Sequence, residues 1–311
     1  MNLRENILGK IDDTSAEAFR GIHCNFIITA DDKKTVRKAA DDATSYPCVV
    51  IGRTEGGVEK LLNKNETPDH RDGALIQVCG QIFPDKPFDE SLVKFATELS
   101  YNIRQNVLVK PFTAVYDAMV DPDAKLDVLD RIGHCGDGWE WSEGRFGRDT
   151  LLVPIMVPDF RIEKCLGYST KGVMGIGLLA MCRSKKALKQ VEVKALKAIN
   201  DVEGVVTPFD VCSAGSKPGG KYKWIGPTTD EEYCPSLKER LKNLGRVSKV
   251  PKYVRYIGEI VIDARTMDAA KKATKVGIEA LYEIPGVERI GAVNFGGKLG
   301  EYQISLHGLF N

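Results

Sequence analysis

A single carboxylate, Glu259, stands inside the β-branched run Ile-Gly-Glu-Ile-Val-Ile at 257–262. Desolvation in such a run favours the protonated carboxyl, the state a general acid requires. A strand glutamate that faces water or pairs with Lys or Arg has the same local sequence, and for the residue alone that is the plainer reading. The second candidate is the turn Asn294-Phe295-Gly296-Gly297-Lys298-Leu299-Gly300. Its three glycines let backbone approach a ligand closely and Lys298 adds a point charge, although glycines here also suit a hairpin connection. The third is the segment SAGSKPGGKYKW at 213–224, with Ser213, Lys217 and Lys221 as its substrate-contact candidates. Its lysines interleave with Tyr222 and Trp224, a composition for a wall against an anionic, ring-bearing ligand or, equally, for a solvated loop. Residues 215–221 also fit the first seven positions of a phosphate-binding loop. The eighth is Tyr222 where Ser or Thr must hold magnesium, and Lys223-Trp224-Ile225-Gly226-Pro227 cannot open a helix, which excludes nucleotide hydrolysis.

These residues need elements to position them. Apolar residues recur at helical spacing from Met267 (Ala270, Ala273, Ile278, Leu281, Ile284) until Pro285-Gly286 ends the helix and an extended segment begins at Val287. The order is strand, helix, strand. A second copy of this grammar precedes it: a strand at 175–181, a helix at 185–199 with Ala187, Leu188, Val191, Ala195, Leu196 and Ile199 on one stripe, and a strand at 205–209. Two such units pack as a split βαβ, ferredoxin-like α/β sandwich with helices on one face of an antiparallel sheet. The first half repeats it, with strands at 26–29, 48–51 and 74–79, helices from Asp31-Asp32 to Ala43 and over 89–104, and an extended piece near 107–109. Thr14-Ser15-Ala16-Glu17 has capping-box spacing and predicts a short helix starting there. The fold class expected is α+β in two ferredoxin-like lobes. The lobes run 1–149 and 150–311, with the boundary in the Gly-, Glu- and Arg-rich stretch 139–150 and an insertion at about 211–253.

Composition narrows the function. The chain has 311 residues, 43% hydrophobic and 28% charged, with 44 basic against 43 acidic residues. A formal charge of +1 offers no field for nucleic acid and no polybasic membrane patch. The N-terminus lacks an apolar signal core and the apolar stretch 173–181 is too short to span a bilayer, so a cytoplasmic protein is expected. Eight cysteines and four histidines never fall into metal-knuckle spacing, and His23-Cys24 and His134-Cys135 are adjacent pairs that diverge on a strand, so no metal is expected.

The runs GEIVI, KVGIEA, PGV and NFGGKLGEYQISLHGLF resemble the C-terminal end of the formylmethanofuran:tetrahydromethanopterin formyltransferase family. Ile11-Asp12-Asp13-Thr14 with Ala16-Glu17-Ala18-Phe19, Gly136-Asp137-Gly138-Trp139, Val202-Glu203-Gly204-Val205, Thr207-Pro208-Phe209 and Thr229-Asp230 through Tyr233-Cys234-Pro235 extend the resemblance over nearly the whole chain. It implies reversible transfer of a formyl group between methanofuran and a ring nitrogen of tetrahydromethanopterin. Both are carrier substrates, and no tightly bound cofactor is implied. Glu259 occupies the position of the family's proposed acid. The anionic carriers imply a basic cleft wall, for which Lys298, Lys217 and Lys221 are the candidates, with Asn294, Phe295, Gly296 and Gly297 giving backbone contact. A homotetramer or homodimer is implied as well. The charge balance departs from the acidic surface of hyperthermophilic members, and a non-catalytic paralogue or carrier-binding scaffold subunit of a formyltransferase/hydrolase assembly is the competing reading.

Overall fold

The structure, a computed structural model, describes residues 3–45, 54–225 and 227–311. The strand expected at 48–51 lies outside the described residues. Helix α1 (Leu3–Lys10) leads into the long strand β1 (Ser15–Ala30), whose first residues belong to one compact unit and whose remainder belongs to another. The units comprise residues 20–172 and residues 1–19 with 173–311. The helix expected from the capping box at 14–17 is strand instead: Ser15, Ala16, Glu17 and Ala18 pair antiparallel with Ser305, Ile304, Gln303 and Tyr302. Long-range pairing with the end of the chain overrides the local signal.

In residues 20–172, β1 is followed by α2 (Lys33–Ser45), β2 (Thr54–Leu62), β3 (Asp72–Gln81), α3 (Phe88–Ile103) and β4 (Ala114–Asp117). The strand order β2-β3-β1-β4, antiparallel throughout, is the ferredoxin-like order. Asp32 caps α2, accepting from the Thr35 backbone N–H at 2.9 Å. The extended piece expected near 107–109 is a helical continuation of α3, a π-turn over Arg104–Leu108. Asn102 fastens that helix to the Ala43 carbonyl (2.6 Å) and Asn106 donates to Asn102 (2.7 Å), so the chain straightens only at β4. Four further strands extend the unit: β5 (Ala124–Asp127), β6 (Trp141–Arg145), β7 (Arg148–Pro154) and β8 (Asp159–Glu163). Strand β8 pairs with β4, and the stretch 139–150 forms most of the β6–β7 hairpin.

Strand β9 (Cys165–Cys182) then carries the chain into the other unit. There follow α4 (Lys185–Gln190), a π-turn and α5 (Leu196–Asn200), β10 (Val205–Val206), the insertion with β11 (Ser216–Lys217), β12 (Thr228–Thr229) and α6 (Lys238–Asn243), and finally β13 (Tyr256–Ala264), α7 (Met267–Tyr282), β14 (Val287–Ala292) and β15 (Tyr302–Ser305). The strand order β10-β13-β9-β14 repeats the ferredoxin-like arrangement. Ser184 and Thr266, both extended, cap α4 and α7 through the Ala187 and Ala269 N–H groups. The strand expected at 205–209 stops after Val206, where Pro208 has no N–H to offer the ladder and Thr207 bonds Asn200. Helices cover one sheet face, and Ile176, Leu178, Ile260, Ile262, Ala270 and Ile278 are fully buried between the layers. No helix among the described residues is long and apolar enough to cross a membrane.

Candidate active site

On β13 the burial alternates: Gly258, Ile260 and Ile262 turn to the helices, so Glu259 emerges on the opposite face. Its backbone is held from both sides. Leu179 of β9 is its partner in the register, and on the other edge Glu259 and Cys212 exchange N–H···O bonds of 2.8 Å each way. The side chain is half-buried, and its carboxyl lies over Gly177, where an added Cβ would stand 2.7 Å from Glu259 Oε1 and 2.5 Å from Val293 Cγ2. Glycine at 177 is what leaves room for the carboxyl.

Glu259 opens into a cavity of about 160 Å³. The sheet supplies its floor through Leu179, Ile257 and Glu259, and the chain after β14 supplies Val293, Asn294 and Phe295. The insertion supplies the roof, Cys212 to Gly215 on one side and Asp230 with Tyr233 to Ser236 on the other. Among the described residues, the only charged side chains lining it are Asp230 and Glu259. Burial, first, and Asp230 beside it push the Tyr233 phenol above its ordinary value against the opposing pull of Lys249, so Tyr233 is an O–H donor at neutral pH. Burial together with Asp230 and Glu231 raises Cys234 too, which leaves that thiol protonated and a poor nucleophile.

The glycine turn binds a carboxylate, and the carboxylate is the protein's own. Glu17, fully buried at the start of β1, accepts N–H bonds from Phe295 (2.7 Å) and Gly297 (2.9 Å) on Oε2 and from Leu299 and Gly300 (2.6 Å each) on Oε1. Gly296 and Gly297 take φ of 77° and 68°, which aims these donors at one point as an anion nest. The Gly296 N–H goes to Asn294 Oδ1 (2.7 Å) and the Asn294 amide donates to the Ser15 carbonyl (2.8 Å). Glu17 thereby fixes Asn294 and Phe295 as one wall of the cavity. Local sequence offers Glu17 only a helix-cap role and a place in a family-like stretch, because the partners that define its actual role lie 278 to 283 residues away.

Of the residues singled out in the sequence, Glu259, Ser213, Asn294 and Phe295 meet at this cavity. Gly296, Gly297 and Lys298 lie beyond its lining on the exposed turn. Lys221 rests over the Tyr222 ring at 5.4 Å, and Tyr222 packs edge-on against Trp224 at 5.1 Å, both outside the lining. Lys217 is ion-paired to Glu231, whose other oxygen takes Arg246 at 2.7 Å. Those two cations hold the Glu231 carboxyl at about 2. Lys249 pairs with the adjacent Glu232 at 2.9 Å, so the insertion that roofs the cavity is tied down by a chain of ion pairs. Asp230 and Tyr233, which the sequence offered only as part of a family-like stretch and not as site residues, line the cavity as well. Among the described residues no group of three or more His, Cys, Asp or Glu is placed to hold a metal.

The ion pairs give a test of what Lys217 does. If it ties the roof, Lys217→Ala and Glu231→Gln should each raise KM by about five-fold, the effect of roughly 1 kcal/mol, and the double variant should be no worse than the single ones. A lysine that instead contacts an anionic ligand would be released by Glu231→Gln, and KM would then fall or stay unchanged. Steady-state kinetics on the three variants separates the two roles.

An α+β chain of two ferredoxin-like units, one of them carrying a carboxyl in a roofed cavity, is the class defined so far. The model of the formylmethanofuran-tetrahydromethanopterin formyltransferase family matches residues 6–155, and that of its proximal lobe matches residues 158–309. The chain belongs to this family. It is 50% identical over 299 residues to a formylmethanofuran–tetrahydromethanopterin formyltransferase-like protein of Methanothermobacter thermautotrophicus, covering 96% of this chain and 97% of the relative. The formyltransferase of the same organism is 38% identical over 305 residues, covering 97% and 98%. The solved formyltransferase of Methanosarcina barkeri superposes with a TM-score of 0.84 at 34% identity over 99% of this chain and all of that one.

Proposed function

We propose that this protein transfers a formyl group between formylmethanofuran and tetrahydromethanopterin by direct attack in a ternary complex, with Glu259 as the general acid. The observation that carries the reading is the placement of Glu259 in a small cavity beside Tyr233, Ser213 and Asn294 in a chain of this family. The pterin ring nitrogen attacks the formamide carbon to give a tetrahedral adduct. The bond to the methanofuran nitrogen then breaks as Glu259 delivers its proton there, and the carboxylate takes up the proton shed by the attacking nitrogen. The Tyr233 hydroxyl is the candidate donor to the developing oxyanion. A covalent formyl-cysteine route has little support, since the Cys234 thiol is held protonated. The cavity fits the reacting ends of the carriers rather than their anionic tails, because no Lys or Arg is among its described lining residues. Lys298, exposed on the turn next to Phe295, is the nearer candidate for a tail.

One observation favours a second reading, a paralogue that binds carriers without turnover. The chain is closer to a formyltransferase-like protein of M. thermautotrophicus than to the formyltransferase of that organism. A spectrophotometric assay for formyl-tetrahydromethanopterin from the two carriers decides between them: turnover is expected, and carrier binding without turnover would establish the paralogue.

A further inference from the structure

In the unit of residues 20–172 a second cavity, of about 360 Å³, lies where β4, the β6–β7 hairpin and β8 converge. Two phenylalanines on it hold left-handed backbone, Phe112 at φ 62° and Phe146 at φ 56°. For a bulky side chain this backbone is strained, and it persists where surrounding structure imposes it, commonly at ligand sites. Burial does not offset the strain at Phe112, a residue 51% exposed whose carbonyl is held by the Arg71 guanidinium. Phe146 occupies the first position of a two-residue hairpin turn before Gly147, where Asn or Gly is ordinary. Its ring is stacked by Arg145 at 5.0 Å and Arg161 at 6.0 Å and meets Tyr116 edge-on at 6.5 Å.

The charges divide into engaged and available ones. Arg71 is consumed by Asp69, Asp31 and Thr29, and Arg161 by Thr150 (2.8 Å) and Glu143 (2.5 Å). Among the described residues no carboxylate pairs with Arg145, and no cation pairs with the half-buried Asp159 of the same cavity. A cation with no carboxylate partner and a carboxylate with no cation partner thus face a shared space without neutralising each other, beside two aromatic residues on strained backbone. We propose that this cavity binds an amino-substituted aromatic heterocycle bearing an anionic group: the ring lies against Phe112 and Phe146, the anion meets Arg145 and a ring amino group donates to Asp159. Purine nucleotides and pterin carboxylates share this chemistry.

Isothermal titration of the full chain with AMP and with pterin-6-carboxylate tests the site without any turnover, so it stands apart from the formyl-transfer reading. At least one probe should saturate below millimolar concentration, and which of the two binds more tightly distinguishes the sources. Adenosine and inorganic phosphate, each half of the first probe, should bind at least ten-fold more weakly than AMP if AMP is the tighter. Arg145→Ala should weaken the tighter probe at least ten-fold. Phe112→Gly should weaken it too while leaving the unfolding midpoint unchanged or raised, because glycine relieves the backbone. Saturation by neither probe, or an Arg145→Ala variant that binds undiminished, overturns the proposal. A Phe112→Gly variant that loses stability and keeps affinity would do the same, returning the rings to packing.

Discussion

Glu259→Gln should lower kcat by at least ~100-fold and change KM little, because the amide preserves size and a hydrogen bond but cannot deliver a proton to the departing nitrogen. The unfolding midpoint should move little, since the residue is half-buried on the face away from the helices and its backbone bonds to Cys212 do not depend on the side chain. Glu259→Asp keeps the acid and withdraws it by one methylene, so an intermediate loss is expected. Gly177→Ala offers a positional control: its methyl would sit 2.7 Å from Glu259 Oε1, and displacing an intact carboxyl should reproduce part of the loss. Turnover and thermal melts on the same preparations are the measurements. A Gln variant with most of its activity would remove Glu259 from the chemistry without touching membership of the family.

What was legible in the sequence follows from the range of the interactions involved. The two βαβ units of the second half were readable because burial there is periodic: β13 alternates every second residue and α7 buries Ala270, Ala273, Ile278 and Leu281 on one stripe. Glu259 stood out as polar within that pattern. Glu17 did not, because Thr14 and Glu17 imitate a helix start while the pairing that makes a strand of them comes from residues 302–305. The glycine turn reads as a place where backbone could approach a ligand; in the fold its N–H groups converge on Glu17, and sequence has no means of showing that this anion is internal. Lys217 looked free for the same reason. Its partner Glu231 lies across the β11–β12 hairpin, and composition alone cannot tell an ion-paired lysine from a solvated one. The strained backbones of Phe112 and Phe146 leave no compositional trace, apart from the Gly147 that follows the second.

Glu17→Gln should destabilise the unit that carries Glu259, and its effect should depend on pH. Burial works to raise the Glu17 carboxyl, and the N–H groups of Gly300, Leu299, Phe295 and Gly297 together outweigh it, holding the group below its ordinary value of 4.5. A depressed carboxyl stabilises the fold above its unfolded value, and that contribution disappears as pH falls through the folded one. Glutamine keeps one acceptor oxygen and turns an NH₂ toward the two N–H groups that the other oxygen served. Two donors of the part-buried turn then lose their partner while an NH₂ is forced against them around a buried side chain, at a combined cost of about 2 kcal/mol at pH 7. Denaturant titrations should show that gap at neutral pH and a narrowing of it below pH 4.5, where the parent protonates and the variant has nothing to lose. Because Glu17 also fixes Asn294 and Phe295 against the cavity, KM should rise in the folded variant under conditions where Glu259→Gln leaves it unchanged. Equal stability of parent and Glu17→Gln at pH 7 would mean that the turn holds its shape without the carboxylate, and the Asn294–Phe295 wall would then owe its position to the Asn294 amide and β15 alone.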